Sequence, residues 1–264
     1  MKQDRLTQIK HLLMRDQQVI NTELCEIFGV SIATIRRDLD QLEAEGIITR
    51  IYGGARLAIS PSAPQAEAQI PSWSSRIASN VQEKRAIAQK IADLIPHNCT
   101  LYIDSGTTLY EIALLLTHRT DITIITNSLH TAVMLGAYPN LQVYCIGGNV
   151  KHDMAATVGV IASGTLSLFP NIDLCILSAD SFDVNLGPRE FLTETAILKK
   201  AIMSRSMKTI AALDHTKFFV SAPSSICRTQ DLDIIVTDSN TPPAAVEQLR
   251  QMGVQVIVAD AADL

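Results

Sequence analysis

A chain of 264 residues, 47% of them hydrophobic, has room for two domains with separate buried cores, and a net charge of −5 excludes a uniformly basic nucleic-acid packaging protein. Five scattered cysteines without a Cys-x-x-Cys pair exclude a disulfide framework or zinc cluster, and six histidines without ligand spacing predict no metal. The opening MKQDRLTQIK lacks a signal-peptide apolar core, and no run reaches the roughly 18 apolar residues of a membrane helix, so a cytoplasmic protein with free thiols and no cofactor is expected.

Residues 1–57 read as a small helical module. Apolar spacing predicts helices over 3–15, where Leu6, Ile9, Leu12 and Leu13 recur, then over 21–28 and 31–45. In the third helix Ile32, Ile35, Leu39 and Leu42 form the packing stripe, which turns Ala33, Arg37 and Ala44 outward, with Thr34 and Gln41 on one flank, Asp40 on the other and Arg36 to the side. Ser31 suits the N-cap, Gly46 the stop, and Gly29 the turn from the preceding helix. The segment IITRIYGGA (47–55) carries two short β-prone pieces broken at Gly53-Gly54, the pattern of a small wing.

A cationic pair near a helix N-terminus opposes the macrodipole. Residues 1–57 hold eight Lys and Arg against eight Asp and Glu, so any DNA affinity rests on placement rather than net charge. Arg37 is placed to read a guanine edge in the major groove, Arg36 to hold a phosphate, and Thr34 to bond a base or phosphate. The alternative is a solvated surface pair in which Arg36 bridges to Asp40 one turn on.

Residues 58–75, rich in Pro, Ser and Ala, predict a linker, and 76–264 a second domain. There, apolar runs at 100–104, 122–126, 141–147, 174–179, 209–214, 233–238 and 254–259 alternate with helical stretches around 80–95, 107–117, 128–137, 158–168, 192–206 and 242–252. Such runs imply a mostly parallel sheet covered on both faces. The first ends in Asp104, Ser105, Gly106, Thr107 and Thr108, a strand-to-helix turn whose hydroxyls and free N–H groups suit either a phosphate or a simple cap. Asn127, Ser128 and Gly148 lie at the ends of the next two strands, where ligands bind in open α/β sheets, and Lys151, Asp214 and Lys217 are candidates for the same edge. For an enzyme, Asp180, Asp183 and Glu190 are the acidic residues available as a proton-abstracting base.

The stretch ELCEIFGVSIATIRRDLDQLEAEGIITRIYGGA closely resembles the N-terminal signature of DeoR-family bacterial transcriptional regulators, and EKRAIAQKIADLI, DSGTT, ITIITNS, GGNV and LDHTKF follow in that family's order. The resemblance implies a winged helix-turn-helix that binds double-stranded operator DNA, with Ser31, Thr34, Arg36 and Arg37 in the helix and Arg50, Tyr52 and Gly53 in the wing as contacts. It further implies a ribose-5-phosphate isomerase-like effector domain that senses a phosphorylated sugar, a homo-oligomer (dimer or tetramer), and a repressor of a carbohydrate-utilisation operon rather than an enzyme. Ser105, Gly106, Thr107, Thr108, Asn127 and Lys217 become candidate effector contacts. The stretch 178–202 follows the family more loosely. The competing expectation is a sugar-phosphate isomerase-like enzyme with an appended helical domain.

Overall fold

The structure, a computed structural model, describes residues 5–6, 8–10, 12–13, 18–44, 47–51, 53–57 and 72–263. The chain divides into two compact units, Met1–Ala66 and Glu67–Leu264.

In the first unit, residues 5–6, 8–10 and 12–13 are helical (α1). Then follow β1 (Gln18–Ile20), α2 (Asn21–Phe28), α3 (Ile32–Ala44), β2 (Ile48–Ile51) and β3 (Gly54–Leu57). Leu6, Ile9 and Leu13 of α1 pack with Leu24, Ile35, Leu39 and Leu42, and Val19, Ile48 and Ala55 bring the strands into the same core. Ile32 departs from the expected stripe: it is 44% exposed, because it opens α3 one turn beyond Ile35, where the core ends. The wing has a third strand that the sequence reading did not contain. β1 pairs antiparallel with β3, which pairs with β2. A Cβ on Gly54 would lie 2.0 Å from the Val19 carbonyl oxygen, so only glycine lets β1 approach.

The second unit begins before the expected residue 76. Ser72 caps a short helix, α4 (Trp73–Ala78), by accepting from the Ser75 N–H, and a hydroxyl cap is enough to start a helix in a stretch whose composition reads as linker. The elements that follow are α5 (Val81–Ala92), β4 (Thr100–Ile103), α6 (Thr107–Leu115), β5 (Thr123–Thr126), α7 (Leu129–Gly136), β6 (Gln142–Cys145), β7 (Asn149–Lys151), β8 (Ala156–Val158), α8 (Val160–Thr165), β9 (Leu174–Leu177), β10 (Ser181–Asp183), β11 (Gly187–Glu190), α9 (Thr193–Met203), β12 (Thr209–Ala212), β13 (Ser224–Ser225), β14 (Ile234–Asp238), α10 (Pro243–Gln251) and β15 (Gln255–Ala259).

Seven strands form one parallel sheet in the order β15-β14-β12-β9-β4-β5-β6. Alternate side chains divide between two cores. Leu101, Ile103, Ile124 and Ile176 lie beneath α5 and α6, while Tyr102, Ile125, Cys175 and Leu177 face Leu198 and Ile202 of α9 and Leu249 of α10. From β4 the chain winds outward through β5 and β6, then returns to the other side of β4 as β9. The gap between the ends of β4 and β9 is therefore the topological switch point, where open α/β sheets bind ligands. Two small antiparallel additions, β7-β8 and β10-β11-β13, flank the strand ends.

Candidate nucleic-acid interface and ligand site

Gly29 ends α2 at φ +62°, and its N–H returns to the Cys25 carbonyl. This left-handed turn aims the chain into α3, where the Thr34 N–H donates to Ser31 Oγ and the two hydroxyls lie 3.0 Å apart, the N-cap expected of Ser31. Arg36 and Arg37 are exposed, and among the described residues neither guanidinium has a protein partner. The alternative pairing of Arg36 with Asp40 does not form. Asp40 Oδ1 instead accepts from Arg50 Nη1 at 2.7 Å, and the same nitrogen reaches the Arg36 carbonyl at 3.3 Å. Arg50 thus braces the wing against α3 from inside the unit. Gly53 sits at φ +81° at the wing tip, with its carbonyl accepting from the Asn21 N–H; Tyr52 lies outside the described residues.

Asp38 was not singled out in the sequence. It is 1% exposed and accepts from Arg5 Nε at 2.6 Å, tying α1 to α3 and so fixing the rotation of the helix that presents Arg36 and Arg37.

At the switch point of the second unit, Asp104 follows β4 and is fully buried. Its Oδ2 accepts from Lys199 Nζ at 2.8 Å and from the Ser178 N–H at 3.3 Å, joining the ends of β4 and β9. Lys199 also donates to Glu190 Oε1 at 2.5 Å and to the Ser178 carbonyl at 2.8 Å. Burial raises the pKa of both carboxylates, with Lys199 acting against the shift. Burial opposes the charge on Lys199, but Asp104 and Glu190 outweigh it and keep the ammonium protonated.

Two buried atoms here lack partners: Asp104 Oδ1 and Ser105 Oγ. Gly106, at φ +147°, precedes α6 and has no side chain with which to cap it, so the N–H groups of the first turn, at Thr107 and Thr108, stay available to an acceptor. Lys217 follows β12 on a short 3-10 turn, His215–Phe219; it is half-buried, its N–H donates to the Asp214 carbonyl, and its ammonium has no hydrogen-bond or ion-pair partner among the described residues. The end of β4 thus brings together an uncapped helix start, an unpaired hydroxyl and an unpaired carboxylate oxygen, while the Lys217 ammonium follows β12, two strands along the sheet.

Other predicted contacts sit further back. Asn127 is fully buried, accepting from Tyr102 Oη at 2.9 Å and donating to the Thr157 carbonyl at 3.1 Å. Ser128 caps α7 through the Thr131 N–H. A Cβ on Gly148 would meet the Val158 carbonyl oxygen at 2.7 Å, so this glycine serves the packing of β7-β8. Lys151 is paired with Glu194 at 2.5 Å. The acidic trio is committed as well: Asp180 accepts from the Phe191 N–H, Asp183 caps the Asn185 and Leu186 N–H groups, and Glu190 holds Lys199.

Two further cations lie within electrostatic reach of Lys217 and Glu190. Lys84 of α5 is 4% exposed, and burial lowers its pKa against the pull of Asp214, with Lys217 and Arg76 adding to the push. Arg76 of α4 is lowered by burial too, with Asp180, Glu190 and Asp153 opposing. Among the described residues, no three His, Cys, Asp or Glu side chains converge to hold a metal, and no helix is long and apolar enough to cross a membrane.

Known proteins show the same two-part organisation. Residues 5–60 match the family described as the DeoR-like helix-turn-helix domain, and residues 79–239 match the DeoR C terminal sensor domain. The HTH-type transcriptional regulator GolR of Listeria innocua serovar 6a is 34% identical over 97% of this chain and 98% of its own. The glycerol-3-phosphate regulon repressor of Escherichia coli K12 is 31% identical over 92% of this chain and 94% of its own. Among solved structures, ribose 5 phosphate isomerase A from Neisseria gonorrhoeae overlaps 52% of this chain and 53% of its own at 19% identity and a TM-score of 0.39.

Proposed function

Because the chain belongs to the DeoR family of DNA-binding transcriptional regulators, we propose that it is a repressor whose operator affinity is set by a phosphorylated sugar bound at the switch point between β4 and β9. The observation that carries the ligand class is the pairing of the uncapped α6 start with the partnerless Ser105 Oγ and Asp104 Oδ1. The phosphate takes the N–H groups of Thr107 and Thr108, the Ser105 hydroxyl and the Lys217 ammonium, and a sugar hydroxyl donates to Asp104 Oδ1. Asn127, Ser128 and Gly148 shape the wall, and Lys151 anchors it through Glu194.

On the DNA side, Thr34, Arg36 and Arg37 make the contacts, Ser31 sets the helix start, and Arg50 and Gly53 position the wing. A regulator serving a catabolic operon is released by an intermediate of that pathway, and one relative is named for glycerol 3-phosphate, a phosphorylated polyol. Two copies present two recognition helices to successive major grooves.

The test is a mobility-shift titration of the full chain on its own upstream promoter fragment at low salt, with and without a panel of sugar phosphates. Retention that one sugar phosphate abolishes supports the reading. No retention under any condition overturns the DNA arm, and retention indifferent to the whole panel overturns the effector arm.

A further inference from the structure

The short helix α4 stands between the ligand site and the DNA-binding unit in the order of the chain. It has no fully buried residue, so it is held to its unit by discrete contacts at its two ends. At the N-terminal end the Trp73 indole stacks on the His130 ring of α7 at 4.2 Å between centroids and 22° between planes, and meets Tyr110 of α6 edge-on at 5.6 Å. At the C-terminal end Lys84 Nζ donates to the carbonyls of Arg76 and Ser79, the latter at 2.7 Å. Arg76 Nη2 adds a bond to the Asp153 carbonyl at 3.2 Å.

Lys84 is thus a charged clamp whose acceptors are neutral carbonyls, and it is buried beside the charges of Lys217 and Arg76. A phosphate is a stronger acceptor for an ammonium than a peptide carbonyl is, since both partners are then charged. We propose that α4 is a latch, held by Lys84 on its C-terminal carbonyls and released when an anion at the start of α6 draws that ammonium to itself. The inference rests on the anion-site reading above and adds to it how occupancy leaves the site. A ligand shifts an equilibrium only through differential affinity for two states, and the exchange of acceptors at Lys84 supplies that difference. α4 then loses its bonds to Lys84 and keeps its aromatic and Arg76 contacts.

Trp73 is the only tryptophan of the chain, so its fluorescence reports on the latch alone. The experiment titrates inorganic phosphate into the full-length protein. Thermal shift reads binding, while acrylamide quenching of Trp73 and amide exchange over residues 73–79 read α4. The latch predicts at least a two-fold rise in the quenching constant and faster exchange over 73–79, both with the midpoint of the thermal shift. Binding with Trp73 quenching and exchange unchanged overturns the latch and leaves the site intact. No thermal shift at any phosphate concentration removes the site and the latch together.

His130→Ala supplies an arm that does not depend on Lys84. Loss of the stack exposes Trp73 before any phosphate is added, and phosphate then binds several-fold tighter because less of the closed arrangement has to be undone. Equal or weaker phosphate affinity in His130→Ala rejects the release direction. Lys84→Met removes the Trp73 response, and a persisting response overturns the role of Lys84; should that variant not fold by circular dichroism, the wild-type exchange data and His130→Ala decide.

Discussion

Arg36 and Arg37 are neighbours in sequence but stand about 100° apart around α3, both exposed and without protein partners among the described residues. On the proposed reading Arg37, opposite the packed face, reads a base, so Arg37→Ala should lose about 1–3 kcal/mol concentrated at one operator position. Arg36→Ala should weaken binding equally across operator variants and lower the salt slope by about 1. Titrations across single-base operator variants and a salt series separate the two; a uniform loss in both rejects the division of labour. The buried trio at the switch point makes a second prediction. Burial holds the Glu190 pKa well above its ordinary value, so its contribution to stability is fully present below roughly pH 4.3 and is lost as pH rises through the folded value. Glu190→Gln removes that term, so between pH 5 and 8 urea melts of wild type should lose more stability with rising pH than those of the variant. Parallel slopes would show that Glu190 titrates as in the unfolded chain. Lys199→Met, which strands two buried carboxylates, should cost about 3–5 kcal/mol.

At the scale of elements, the wing depends on a backbone approach that side-chain patterns do not encode. Gly54→Ala places a methyl 2.0 Å from the Val19 carbonyl oxygen, so β1 must part from β3. A loss of about 1–3 kcal/mol in urea melts, together with weakened operator retention, is the expected outcome, and wild-type values on both counts would remove β1 from the working wing. The same elements show what the sequence can carry. ITIIT and TLYID were legible as buried strands because both faces are covered, leaving near-continuous apolar runs. β1, β7 and β8 were not, since three residues are too short for alternation to register. Asp38, Lys84 and Lys199 left a signal that a stripe reading passes over. Each occupies a position of its helix where the 3.6-residue period calls for an apolar side chain: Asp38 between Ile35 and Leu42, Lys84 before Ile87 and Ile91, Lys199 beside Leu198 and Ile202. A charge on a buried face needs a partner, and the structure supplies Arg5, the α4 carbonyls and the Asp104–Glu190 pair. Arg5 and Asp104 were not legible because they come from elements distant in sequence, and the α4 carbonyls and Glu190, though within ten residues, because only the chain reversal before each helix brings them in.

At the scale of the whole molecule, two units share one chain, and the function of a regulator is the free energy that couples them. The first 57 residues are electrically balanced overall, so on the proposed reading DNA affinity rests on a few placed cations, and a modest change in how they are presented is enough to alter it. Couplings of this kind are typically about 1–3 kcal/mol, or about 5–150-fold in affinity, and linkage makes them reciprocal. If a sugar phosphate weakens the operator complex by a given factor, the operator must weaken sugar-phosphate binding by that same factor. The measurement is a pair of titrations at one salt concentration: operator affinity with saturating ligand against without it, and ligand affinity, read through Trp73, with saturating operator against without it. Equal factors are expected for binding that draws on one two-state equilibrium. Unequal factors would mean that ligand, DNA or both also change the assembly state, and repeating the pair over a range of protein concentrations would then show the ratio drifting with concentration, as linkage to subunit association requires.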